Sequence, residues 1–382
     1  MKHISITSFD QEGSLLVISS YPAKGTTHTG GGLASYTKNT LLAIKKADQN
    51  QKIVVLANVI DQPETYLENG ILVIRCWQRN QLSLFPTLIQ QILRFHQIKN
   101  ILFEFEFAAY GEIASTSLTI PFLGLLRLLG KRVTSVIHQA VVNLKKLSLH
   151  AGLNNKPQTI GLLNKLLKTF YVALISLSNS VITLEKSLAD GLNQICPSSK
   201  ITAIPHGLYL QKPINQPAAK KRLNLNPNDY HVLSFGYLSH YKGSDIAVAA
   251  FKNSLQINGH EVKLILAGGE SPTQGQKPHY QGFYKELYRL IDNKSNVIHT
   301  GFVPNGRIAT YFSAADLVIF PYRTLMSAPG PLSLAIAYNR PFVVSTSLGL
   351  YSPYSFVPQA SHLRKSIVNT LQSRKIQKQL MV

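Results

Sequence analysis

The sequence predicts an α/β protein made of two doubly wound parallel sheets in tandem, and three observations predict it. Short apolar runs of strand length alternate with helical patterns along most of the chain, which is how βαβ units read. The 382 residues are 45% hydrophobic and 15% charged, which suffices for two cores and excludes wholesale disorder. A stretch rich in Pro, Asn and Gln, His206 to Asn228, interrupts the series as a linker would.

The first series of strands reads SLLVISS (Ser14 to Ser20), KIVVLANV (Lys52 to Val59), ILVIRCW (Ile71 to Trp77), NILFEFEF (Asn100 to Phe107), RVTSVIH (Arg132 to His138) and SVITL (Ser180 to Leu184). The second reads ITAIP (Ile201 to Pro205), HVLSFG (His231 to Gly236), VKLILAG (Val262 to Gly268), NVIHTG (Asn296 to Gly301), DLVIFP (Asp316 to Pro321) and PFVVS (Pro341 to Ser345). Helices such as Gly32 to Lys46 and Arg307 to Ala314 lie between them. The expected domains are 1–205 and 206–382, with a C-terminal helix able to cross back to the first. A ligand is expected beyond the carboxyl ends of the strands, in the cleft between the domains.

Lys and Arg number 39 against 18 Asp and Glu, a formal charge of +21. Fifteen of those excess charges sit in two acid-free stretches, from Glu112 to Glu185 and after Asp316. Such an excess suits nucleic acid, an anionic membrane surface or anionic small molecules, and a solvated face without a partner is the plainer alternative. Nucleic acid is disfavoured, because no zinc-finger spacing, RNP-like aromatic string or arginine-rich tail accompanies the charge. The N-terminus lacks a secretory pattern, the apolar windows Leu118 to Gly130 and Thr169 to Ile182 are short and interrupted, and Cys76 and Cys196 stand alone. A cytoplasmic chain, peripheral at the inner face of the membrane, is the expectation.

Two places could hold phosphate. Gly30, Gly31 and Gly32 precede a helix whose free N–H groups and positive dipole end face outward, although a plain turn has the same glycines. The triplet matches neither G-x-G-x-x-G nor the P-loop, which disfavours a dehydrogenase or P-loop kinase. In the second half, Lys242 and Gly243 place a cation at the mouth of a helix, and Ser327 to Ser333 form another glycine turn before a helix.

The ordered set YPAKGTTHTGGGLASYTKN, FEFEFAAYG, VIHQ, IPHG, FGYLSHYKG, LILAGG, TGFVPNGRIATYFSAADLVIFPY and SAPGPLSLAIAYNRPFVVS resembles the GT-B glycosyltransferases of family four. These are retaining, nucleotide-sugar-dependent enzymes with two Rossmann-like domains facing across a cleft. The resemblance implies acceptor binding by the N-terminal half and donor binding by the C-terminal half. It assigns catalysis to His138, Lys242 and Glu106. It assigns the donor to Gly30, Gly31, Gly32, Gly236, Lys242, Ser327, Gly330, Leu332 and Ser333, to which the departures from its pattern add Tyr237 and Arg323. Glu104 shares a strand face with Glu106.

Two departures stand out. Tyr237 occupies the position where the family commonly has Arg, so Arg323 is the expected replacement cation. The family's paired glutamates fall on Ser327 and Ala335, or on Met326 and Leu334, and neither alignment recovers a carboxylate. A catalytically inactive GT-B protein acting as a binding or partner subunit is therefore the alternative to a hexosyltransferase-type enzyme.

No Asp-x-Asp occurs and no His or Cys cluster has ligand spacing, so a metal-independent reaction is expected, with the nucleoside diphosphate sugar as co-substrate and no other cofactor. The stretch Gln158 to Asn179 reads as a helix with Ile160, Leu163, Leu166 or Leu167, Phe170, Leu174 and Leu177 on one face and Lys165 and Lys168 on the other, and a core-packing helix of the first domain explains that stripe. Before it, Leu144, Leu147 and Leu149 alternate with Lys145 and Lys146, a composition that suits a membrane-interfacial segment. The expected acceptor is a cell-envelope glycan or a lipid-linked sugar.

Overall fold

The computed structural model describes residues 6–26, 31–153, 156–208, 211–272, 274–292, 294–351 and 355–373. Two compact units divide the chain: Met1–Val142 with Leu162–Gly207 and Met326–Ala328, and Asn143–Gly161 with Leu208–Leu325 and Pro329–Val382. The first break between the main bodies thus falls at Gly207, beside the linker. The segment Asn143–Gly161 groups with the second unit, which its place in the chain does not announce.

The first unit holds an eight-stranded sheet of β1 (Leu15–Ile18), β2 (Ile53–Asn58), β3 (Glu64–Glu68), β4 (Ile71–Trp77), β5 (Asn100–Phe105), β6 (Arg132–Ile137), β7 (Ser180–Thr183) and β8 (Ile201–Ala203). Their order is β3-β4-β2-β1-β5-β6-β7-β8, and β3 alone runs antiparallel to its neighbour. The run at Ile201 was expected to open the second series; it pairs instead with Val181 to Thr183 and closes the first sheet. β3 was not expected. It folds back through Asn69 and Gly70, both at positive φ, the backbone an Asn-Gly hairpin turn requires.

The second unit holds β9 (Tyr230–Phe235), β10 (Gln256–Ile257), β11 (His260–Ala267), β12 (Val297–Gly301), β13 (Leu317–Phe320), β14 (Phe342–Ser345) and β15 (Ser355–Phe356). The order is β10-β11-β9-β13-β14-β15, with β12 also on β11, and all pairs but β10–β11 are parallel. Alternation along the strands fills two layers. Val232, Leu264, Leu266, Leu317 and Ile319 pack in one, and Leu233, Ile265, Ala267, Val318 and Phe320 in the other. A sheet buried on both faces explains why these strands read as unbroken apolar runs. The C-terminal helix Ala360–Gln372 contributes Leu363 and Ile367 to the first of those layers, inside the second unit.

In both sheets the first strand of the unit sits where the order reverses: β1 lies between β2 and β5, and β9 between β11 and β13. The carboxyl ends of β1 and β9 are therefore the switch points at which doubly wound sheets bind ligands.

Candidate functional site

In the first unit, β5 and β6 are paired neighbours and bring Glu104, Glu106 and His138 to the same edge. His138 Nε2 lies 2.6 Å from Glu104 Oε2, and both side chains are buried. Glu106 is spent differently: its Oε1 accepts from Gln139 Nε2 at 2.9 Å, and burial raises its carboxyl pKa against the opposing pull of His138. The carboxylate that touches the histidine is thus Glu104, while Glu106, the expected acceptor contact, is held by Gln139.

The helix Gly31–Ala47 is fastened to the end of β1 by the Ser19 and Thr37 hydroxyls, 2.7 Å apart. It carries Tyr36, whose ring is approached edge-on by both His138 and His206, with centroids 4.7 and 5.0 Å away. Burial and the neighbouring His138 push His206 down to about 4, so it is neutral at pH 7. Gly31 has φ +92° and, with Gly32, is exposed with open space around it, leaving the helix start approachable. Gly30 lies outside the described residues. Ser327 forms an isolated antiparallel bridge with Gln139, and Met326 accepts from the Ala140 N–H at 3.0 Å.

In the second unit, β9 is followed at once by Gly236, and the chain turns back to Lys242. A side chain at Gly236 would meet Lys242 Nζ and Pro331 Cγ at 3.4 Å, so the ammonium, the Gly236 backbone and the first turn of the helix Gly330–Ala337 converge. Gly243 holds φ +73°, and a Cβ there would come within 2.0 Å of the Pro321 carbonyl oxygen, so only glycine fits. Lys242 makes no ion pair among the described residues, and desolvation lowers its pKa to about 8. An ammonium without an ion-pair partner among the described residues, beside a helix N-terminus, is chemically suited to an anion.

The other expected donor residues divide. Arg323 does not stand free. Nη1 and Nη2 grip the Asp245 carboxylate at 2.7 and 2.6 Å, and Nη1 also donates to the His240 carbonyl, so this side chain braces the loop that carries Lys242. Leu332 is 1% exposed and belongs to the core, which leaves no surface for a ligand. Gly330 is exposed and Ser333 half-buried at the same helix start. Tyr237 is partly exposed and stacks on Phe302, ring centroids 6.4 Å apart, an aromatic pair of which sequence reasoning identified only one member.

A further contributor was missed altogether. Within the second unit, His150 places Nδ1 2.5 Å from the Tyr280 hydroxyl and its ring edge against Tyr241, over whose ring Lys242 Nζ also sits. Burial, with Lys277, His279 and Lys242 nearby, lowers His150 to about 4. Leu147 of the same segment is buried and Leu144 and Leu149 are half-buried, so these leucines are not the free interfacial surface expected of them.

Residues 215–351 match the family model described as Glycosyl transferases group 1. Among solved structures, the chain is similar to sucrose-phosphate synthase from Thermosynechococcus elongatus, with TM-score 0.70, 19% identity, and coverage of 94% of this chain and 90% of that one. It is similar to Anabaena Alr3699/HepE in complex with UDP and glucose, with TM-score 0.61, 15% identity, and coverage of 95% and 91%. It is also similar to an alpha,alpha-trehalose-phosphate synthase (UDP-forming) from Burkholderia vietnamiensis, with TM-score 0.63, 12% identity, and coverage of 95% and 90%. No curated protein sequence matches the chain. The fold is that of the GT-B glycosyltransferases.

Proposed function

We propose that this protein is a glycosyltransferase that moves a sugar from a nucleoside diphosphate sugar to a cell-envelope glycan or lipid-linked acceptor, with retention and without a metal. The observation that carries the reading is Lys242: a desolvated ammonium with no carboxylate partner among the described residues, beside Gly236 and the start of the helix Gly330–Ala337. The glycosyltransferase match over residues 215–351 covers this constellation, and the neighbour Alr3699/HepE was solved with UDP and with UDP-glucose.

The chemistry follows from where charge grows. As the bond from the anomeric carbon to the diphosphate oxygen breaks, negative charge builds on the diphosphate. Lys242 and the free N–H end of the helix offset it, and the acceptor oxygen bonds the same carbon while its proton leaves with the diphosphate. Fixed donors of this sort are typically worth about 3 kcal/mol each. The Tyr237–Phe302 pair offers the nucleobase an aromatic shelf at the end of β9. In the first unit, His138 is the proposed contact to the donor sugar, with Glu104 fixing its ring.

Titration calorimetry against UDP, GDP and their common sugar conjugates tests the reading. Selective binding to the parent chain, lost in Lys242→Met, is the supporting result; absence of binding by all of them overturns it.

A further inference from the structure

The helix Pro157–Leu177 is long and apolar enough to cross a membrane, yet only 17% of its most apolar stretch is buried. Its buried residues are Tyr171, Leu174 and Ile175, all in its last two turns. The opposite face presents Leu162, Lys165, Leu166, Thr169 and Val172 at helical spacing, with Lys168 beside them and all six exposed. Leu162 is 59% and Leu166 56% exposed.

The neighbouring helix Thr119–Leu128 adds to this face. Arg127 Nη1 donates to the Ser176 carbonyl at 3.1 Å, tying the ends of the two helices together. Leu125 and Leu128 stand exposed beside that tie, Leu128 at 85%. β5, β6 and β7 are adjacent and parallel, so both crossover helices fall on one side of the sheet.

Single exposed leucines need no explanation. Here leucines from two adjoining helices are interleaved with cations, and no acid occurs in the sequence between Glu112 and Glu185. On the C-terminal side the nearest acids do not neutralise the face: Glu185 is buried and Asp190 is paired with Lys186 at 3.1 Å; on the N-terminal side Glu112 is exposed, seven residues before the helix Thr119–Leu128 begins. We propose that this face of the first unit is a docking surface for an anionic lipid leaflet, the Leu162–Val172 stripe lying in the headgroup plane with Lys165 and Lys168 on lipid phosphates. The helix lies on the bilayer rather than across it. Spanning would carry both lysines through hydrocarbon and strip Tyr171, Leu174 and Ile175 from the core.

This inference stands on the helix faces and is independent of the donor chemistry. Flotation of the full chain with vesicles of phosphatidylcholine alone, or mixed with phosphatidylglycerol, tests it. Binding is expected only with phosphatidylglycerol and falls with salt. Lys165→Gln with Lys168→Gln lowers partitioning about 30-fold, at ~1 kcal/mol for each lysine near an anionic surface. Leu162→Ser with Leu166→Ser lowers it as well, without shifting the melting temperature, since both side chains are exposed. In Leu166→Trp the added emission shifts to the blue on vesicles, whereas Trp77, already buried, does not change. Failure to bind phosphatidylglycerol vesicles, unchanged binding by these variants, or a second copy of the chain found covering the face would overturn the proposal. Nucleotide binding by the same variants reports separately on the transferase reading.

Discussion

His138 and Glu104 form a buried pair, Nε2 to Oε2 at 2.6 Å, built from the ends of two adjacent strands. A carboxylate on one ring nitrogen fixes the ring's orientation and leaves Nδ1 as the atom free to address a ligand. The remaining partners are aromatic: Tyr36 stands edge-on to the ring, with His206 on the same tyrosine.

Glu104→Gln keeps the shape of that pair and removes its charge. Hydrogen bonds to charged groups contribute about 1.5–3 kcal/mol and neutral ones about 1, so the variant, which keeps a neutral bond, is expected to lose about 1–2 kcal/mol. Turnover is expected to fall at least ten-fold with the affinity for the free nucleoside diphosphate nearly unchanged, because the nucleotide contacts proposed here lie in the other unit. Glu106→Gln, whose partner is Gln139, is expected to alter the acceptor KM instead. Steady-state kinetics with both substrates varied separates the two.

Lys242 predicts an exchange of binding for stability. Its folded-state value of about 8 lies below the ordinary 10.5, so the unfolded chain holds the proton more tightly and the charged ammonium destabilises the fold at neutral pH. The cost is about 3 kcal/mol and disappears as pH rises from 8 towards 10.5. Lys242→Met is expected to melt higher than the parent at pH 7 and to lose nucleotide affinity. Donor affinity of the parent is expected to decline above about pH 8, where the free ammonium loses its proton. Melting curves and calorimetry across pH 7 to 9 check both signs.

Arg323 and Asp245 act as one brace. Both Nη atoms bind the carboxylate, and removal of either partner frees the loop that presents Lys242. Arg323→Ala and Asp245→Ala are each expected to weaken donor binding about ten-fold, and the double variant by little more, since residues of one network are not additive. Affinity equal to the parent's in Arg323→Ala would remove any role for this residue.

Acid lability is expected to come in part from His231. It is fully buried with neither ring nitrogen hydrogen-bonded, its Nδ1 4.0 Å from Asp316, and burial with Lys220 nearby lowers it to about 4. The unfolded chain binds that proton near the ordinary 6.5, so stability is intact above 6.5 and falls as pH drops from there towards 4. His231→Phe is expected to flatten that limb of a melting-temperature profile. His150 and His206, with the same depression, keep part of it.

The expected strands formed where runs such as KIVVLANV and DLVIFP are apolar on both faces, because two-sided burial leaves that trace in the residues themselves. The Asn-Gly steps at Asn69 and Asn258 were equally legible and went unread, and each makes a hairpin onto a neighbouring strand. Membership of β8 in the first sheet has no local signal, since three residues fit either. Lys242 was found because its glycine neighbour and helix leave a spacing. The His138–Glu104 pair depends on the β5–β6 register, and the Arg323–Asp245 brace joins residues 78 apart, so neither was available to local reasoning.

The most direct test of the central claim is the melting temperature of the parent chain and of Lys242→Met with saturating nucleotide sugars. At a hundred-fold excess over its dissociation constant, a true donor is expected to stabilise the parent by about 2.7 kcal/mol and the variant hardly at all. A parent chain that gains nothing from any uridine or guanosine diphosphate sugar, or a Lys242→Met variant stabilised as fully as the parent, would contradict it.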